Sequence, residues 1–179
     1  MADVSANLKR KGKKVAVSIS LLGSFRRHYP EVLLAAQFFQ ESGMEVLSPS
    51  ISSVLDTSVE FVRFASDASD ATDHEIQLRT LRSILSSDLV YVVAPGGYIG
   101  RTTCYEIGRV HERGIPTFFS EYPKDLPIVV RPESVVKPSS LAKEIEELGR
   151  VPVVSDEGVP PEILHLERVL KELSGTRPA

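Results

Sequence analysis

A single cysteine, Cys104, rules out an internal disulfide and a thiolate zinc cluster, and it suits a reducing compartment. No apolar run reaches the roughly 18 residues that a bilayer span demands. Neither sign of charge is in large excess. A formal net charge of -3 gives no reason to expect nucleic acid or an anionic membrane as partner. His28, His74, His111 and His165 are scattered, without HxxxH spacing or a cysteine partner, so neither a metal site nor a cofactor is expected. The chain also lacks a GxSxG elbow, a Walker loop and a GxGxxG fingerprint.

What is present is ordinary globular material: 42% hydrophobic and 25% charged residues in 179 positions, enough for one domain with a substantial core. The N-terminus carries Lys9, Arg10, Lys11, Lys13 and Lys14 ahead of an apolar stretch, like the front of a signal peptide. Val15–Leu22 is short, however, alternates with serine and leads to no small-residue cleavage site. Residues 1–13 are therefore read as a flexible basic arm, and a cytoplasmic location is the expectation.

Hydrophobic patterning gives the organisation. Val15–Ser20 is rich in β-branched residues and reads as a buried strand, broken by Gly23-Ser24. Pro30 suits the first turn of a helix that continues through Val32, Leu33, Ala36 and Phe39 to Gly43, and Met44–Leu47 is the next strand. This strand–helix–strand unit with short connections is the mark of a parallel sheet. Val59–Phe64 is a candidate edge strand, and Ala65–Ala71 reads as a loop. Asp67, Asp70 and Asp73, three apart, read as a solvated connection; the other reading is a cation loop.

Thr72 and Glu75 have capping-box spacing ahead of a helix with Ile76, Leu78, Leu81, Ile84 and Leu85 on its apolar face, ended by Asp88. Leu89–Ala94 is apolar throughout, as in a central strand covered on both faces. A turn at Pro95–Gly100 leads to a helix over about Thr102–Glu112, then a strand at Ile115–Phe119. Ile128–Val130 is a further strand candidate, Ser139–Leu148 a helix capped by Ser139 or Ser140, and Glu162–Leu173 an amphipathic helix ending near Gly175. The expected fold is α/β: a Rossmann-like open parallel sheet of about five strands flanked by helices. The expected organisation is a nucleotide-binding domain over 14–130 and a helical extension over 131–179, packed on the core or on a partner subunit.

Three groups of residues carry chemistry. Gly23-Ser24-Phe25-Arg26-Arg27 follows the first strand, where open α/β sheets bind ligands, and supplies backbone N–H groups, a hydroxyl and guanidinium forks suited to a phosphate or carboxylate. Alone, the same residues also make a polar turn followed by two solvated arginines. In Pro95-Gly96-Gly97-Tyr98-Ile99-Gly100, three glycines in five positions permit close approach of backbone to a ligand, although a turn between strand and helix also uses glycine. Glu106 lies about a turn into the next helix. With Ile107 and Val110, and Cys104 as a further candidate, toward the core, Glu106 falls on another side, at the pocket mouth or in solvent.

The run from Ser87-Asp88 through Leu89–Ala94, the Pro95–Gly100 turn, Thr102-Thr103, Glu106-Ile107-Gly108 and Gly114-Ile115-Pro116 resembles the nucleoside 2-deoxyribosyltransferase superfamily. Gly23-Ser24 with Arg26 is similar to the Gly-Ser-x-Arg loop of its nucleotide N-glycosidase branch, which grips a 5′-phosphate. The resemblance spans Val15 to Phe119. It implies an N-glycoside hydrolase or transferase acting on a nucleoside 5′-monophosphate or nucleoside, with Glu106 as nucleophile. Gly23, Ser24, Arg26 and Arg27 would hold the phosphate, while Gly96, Gly97, Tyr98, Gly100, Thr102 and Thr103 would shape the sugar pocket. Thr80 stands where the superfamily commonly has an acidic residue, which leaves Asp73 or His74 to assist the leaving base.

A weaker likeness joins Pro95-Gly96-Gly97-Tyr98 to the Pro-Gly-Gly-x-Gly-Thr loop of lysine-decarboxylase-like phosphoribohydrolases, with Ile99 inserted before Gly100. Both families imply a nucleotide or nucleoside as the small-molecule partner, and related folds share pockets across a homodimer. The alternative is a non-catalytic nucleotide-binding protein that kept the pocket and lost the acid.

Overall fold

The computed structural model describes residues 17–49, 54–56, 63–64 and 71–173. The basic arm, Val59–Val62 of the candidate edge strand, residues 65–70 with Asp67 and Asp70, and Gly175 lie outside the described residues. Strands β1 (Ser18–Gly23), β2 (Glu45–Ser48), β5 (Leu89–Val93) and β6 (Thr117–Phe119) form one parallel sheet in the order β2-β1-β5-β6. The fold is the Rossmann-like open sheet, with four strands rather than five among the described residues. β3 (Val54–Asp56) and β4 (Arg63–Phe64) make a separate antiparallel ribbon.

Ile128–Val130 is not a strand. Bracketed by Pro127 and Pro132, this run instead turns Val130 into the core, and β6 meets Val135 in a single parallel bridge. The carbonyl of Val136 accepts from the buried Tyr91 hydroxyl at 2.8 Å, which pins that segment to the sheet.

Helices α1 (Phe25–Glu41) and α4 (Pro138–Leu148) cover one face of the sheet, meeting Leu21, Leu89, Tyr91, Val93 and Phe118. On the other face, Ile84 from α2 (Asp73–Leu85) and Ile107 and Val110 from α3 (Arg101–Glu112) pack on Leu22, Val90, Val92 and Phe119. The unbroken apolar run of β5 is thus divided, alternate residues going to opposite layers.

Local chemistry sets the ends of these elements. β1 runs to Gly23, where a Cβ would stand 2.7 Å from Val32 Cγ2 and 3.0 Å from the Val93 carbonyl; only glycine lets helix and strand approach so closely. α1 begins at Phe25, five residues before Pro30, and departs from helical geometry at His28 (φ -132°, ψ 30°). Pro30 has no N–H for the Arg26 carbonyl and its ring crowds that group, so Phe25–His28 forms a distinct first turn.

The Thr72 capping box is present: Glu75 N–H donates to Thr72 Oγ1 at 3.2 Å, and Thr72 N–H to Glu75 Oε2 at 2.8 Å. The Thr72 N–H, joined by the Thr72 hydroxyl donating to the same Oε2 at 2.9 Å, holds the Glu75 carboxyl below its ordinary range. Ile76, Leu81 and Ile84 are buried, but Leu78 is exposed, since two residues on from Ile76 is the opposite side of a helix. α4 starts one residue before the expected Ser139, with Lys137 at its cap and Pro138 in its first turn. α5 (Pro161–Leu173) buries none of its residues. Arg131 holds it instead, bonding Glu167 at 2.9 Å and Asp156 at 2.7 Å. Among the described residues no helix is long and apolar enough to cross a membrane.

Candidate functional site

The strand order fixes where a ligand-binding crevice opens. From β1 the chain crosses outward to β2, then returns past β1 to place β5 on its other side. Connections therefore leave the carboxyl ends of β1 and β5 in opposite directions, and a crevice forms between them. α1 begins directly beyond β1, and α3 begins eight residues after Val93 ends β5. The amino ends of both helices consequently face one opening. Neither is capped by a side chain, and neither has an acidic residue in its first turn. Their leading N–H groups and positive dipole ends suit an anion.

The cleft at this junction, of about 240 Å³, is lined by Gly23, Ser24, Phe25 and Arg26 from the first loop, by Tyr98, Gly100, Arg101, Thr102, Thr103 and Glu106 from the second, and by Gln77. Thr103 Oγ1 donates to the Gly23 carbonyl at 3.1 Å, a buried bond that ties the start of α3 to the end of β1. Gly100 sits against Ser24, so closely that a Cβ on it would lie 3.7 Å from the serine hydroxyl.

Glu106 is the chemically distinctive group. Thr103, Glu106, Ile107 and Val110 form the buried row of α3, so Glu106 lies on the inward face beside Ile107 rather than on a different side, and Cys104 is only half-buried. The carboxylate is 6% exposed yet borders the cleft. Its Oε1 accepts a hydrogen bond from Gln77 Nε2 at 3.0 Å. Burial pushes the Glu106 carboxyl up to about 7, partly opposed by that amide donor. Such a group changes charge near neutrality, as a general acid or base does, and it is ionised and nucleophilic above that range.

The structure thus brings together Gly23, Ser24, Arg26, Tyr98, Gly100, Thr102, Thr103 and Glu106. Five expected residues stand apart from the lining. Arg27 stacks its guanidinium over the Tyr98 ring at 4.3 Å, bridging the two loops outside the cleft. Gly96 is exposed, and its N–H donates to Glu121 Oε2 at 2.9 Å. Gly97 is buried against a neighbouring loop: it has φ +73°, and a Cβ there would lie 2.5 Å from the Tyr122 carbonyl. Asp73 and His74, exposed in the first turn of α2, do not border the cleft.

Gln77, Phe25 and Arg101 line the cleft without having been expected there. For Gln77 a signal existed, since it lies four residues before the buried Leu81 on the inward row of α2.

A larger cleft, about 400 Å³, lies toward the carboxyl end of α3. Its floor of Ile115, Phe119, Ile128 and Val130 is apolar, and two of its charged groups, Arg131 and Asp156, already bond each other at 2.8 Å. Comparison with protein-family models, curated proteins and solved structures gives no match.

Proposed function

We propose that the chain cleaves N-glycosides, taking a nucleoside 5′-monophosphate or nucleoside and releasing the base through attack by Glu106. The observation that carries this reading is a buried carboxylate sharing one small cleft with Ser24, Arg26 and two uncapped helix ends. A phosphate at the helix ends is recognised by backbone N–H groups, the Ser24 hydroxyl and the Arg26 fork. The sugar then lies toward α3, its anomeric carbon within reach of Glu106. Carboxylate attack forms a glycosyl–enzyme ester while the carbon–nitrogen bond breaks toward the base. Water, or a second base, releases the sugar with overall retention. The nucleophile is the ionised carboxylate, so turnover rises with pH through about 7.

The test is incubation with a panel of nucleosides and their 5′-monophosphates, with free base measured by chromatography. Base release that Glu106→Gln abolishes while its melting temperature is no lower than that of the parent supports the reading; release that survives this change removes it. The position of Asp73 and His74 outside the cleft lining favours a second reading, a nucleotide-binding protein without turnover. Ligand-induced thermal stabilisation with no free base identifies that case.

A further inference from the structure

We infer that Gln77 is a positioning residue for Glu106, its side-chain amide holding one carboxylate oxygen so that the other is presented to the cleft. This rests on the proposed role of Glu106. The geometry is specific. Gln77 Nε2 donates to Glu106 Oε1 at 3.0 Å across twenty-nine positions of sequence, joining α2 to α3, and both side chains border the cleft. Gln77 engages Oε1, so Oε2 is the oxygen that meets an anomeric carbon.

The choice of an amide has a chemical consequence. Glutamine offers two N–H donors and a carbonyl acceptor and carries no ionisable proton. A donor at 3.0 Å favours the ionised form of its partner, and this is the influence that opposes burial at Glu106. A carboxylic acid in the same place would compete for a shared proton, and an apolar side chain would leave burial unopposed. The amide avoids both and keeps the carboxyl able to ionise near neutrality. It also restricts rotation of the carboxylate, which matters because attack demands a narrow approach geometry.

The other charged residues that border the cleft with this pair are Arg26, in the first turn of α1, and Arg101, at the start of α3. The amide is the group among the described residues that bonds the Glu106 carboxyl directly.

The test is ¹³C NMR titration of the side-chain carboxyls, with the Glu106 resonance assigned by its loss in Glu106→Gln. In the parent chain this resonance titrates near pH 7. In Gln77→Leu, which is close in size and lacks the amide, the midpoint moves up by about one unit or more. Gln77→Glu, nearly isosteric, moves it up as well through like-charge repulsion, and it serves if the leucine variant fails to fold. If base release occurs, both variants lower kcat at neutral pH about tenfold with KM little changed, and the ascending limb of the pH profile moves up in step.

A midpoint that stays put in a folded Gln77 variant overturns the inference, whether or not any base is released. Absence of base release from a parent chain whose midpoint does respond to Gln77 would instead count against the proposed reaction alone.

Discussion

Glu106 carries a stability signature that can be read without any substrate. Its carboxyl ionises near 4.5 when unfolded and near 7 when folded, so between those values the native state binds more protons than the unfolded chain. Stability from this group is therefore present at low pH and declines as pH rises through that window, by at most about 3 kcal/mol. Glu106→Gln removes the ionisation. Urea titrations should show the variant gaining on the parent as pH rises from 4 to 8; a parent that keeps its relative stability to pH 8 would contradict the burial argument.

Two glycines in one turn should behave oppositely. Gly97→Ala places a methyl 2.5 Å from the Tyr122 carbonyl at φ +73°, and should destabilise by about 2 kcal/mol or more. Gly100 has φ -74° and an added methyl meets Ser24 and Thr103 only at van der Waals distance. Gly100→Ala should melt with the parent yet bind nucleoside monophosphates more weakly, because the methyl narrows the cleft. Equal binding would place the ligand elsewhere. The three glycines looked alike in sequence because what separates them is the neighbouring chain each one meets.

Among the elements, those with purely local causes were the legible ones. The capping box at Thr72 and Glu75 needs nothing beyond four consecutive residues, and the apolar run of β5 announces burial on both faces. Thr72→Ala should lower stability by about 1 kcal/mol, a shift measurable by thermal unfolding. α1 was harder, since Pro30 can open a helix or interrupt one, and only the packing of Phe25 beside the cleft decides between them. Ile128–Val130 has strand composition, but composition cannot tell a pairing edge from an irregular segment that buries one residue, Val130.

α5 fully buries no residue, and Arg131 bonds its Glu167. Arg131→Met should leave the sheet intact while hydrogen exchange over Pro161–Leu173 accelerates about tenfold, reflecting the loss of the charge-assisted bond to Glu167. Unchanged exchange would show that α5 is held by other means.

At the scale of the molecule, the position of the cleft was legible before its contents were. A parallel sheet whose order reverses beside β1 opens a crevice there, and the loops carrying Ser24 and Gly100 follow the two strands that flank it. Helical spacing puts Gln77 on the inward row of α2 but cannot name its partner, which lies on another helix and meets it only once α2 and α3 dock.

That same junction bears on how the chain comes to life. The seam between β1 and β5 joins positions 70 apart, as Ser18 and Asp88 do through their side chains at its base. Nothing emerging from a ribosome can close this seam until most of the sheet has been synthesised, and the pocket walls come from both of its banks. Recognition and folding are thus one cooperative event: a chain truncated before Arg101 has no vestigial affinity to measure, and during refolding ligand capture should arrive with the last kinetic phase rather than ahead of it.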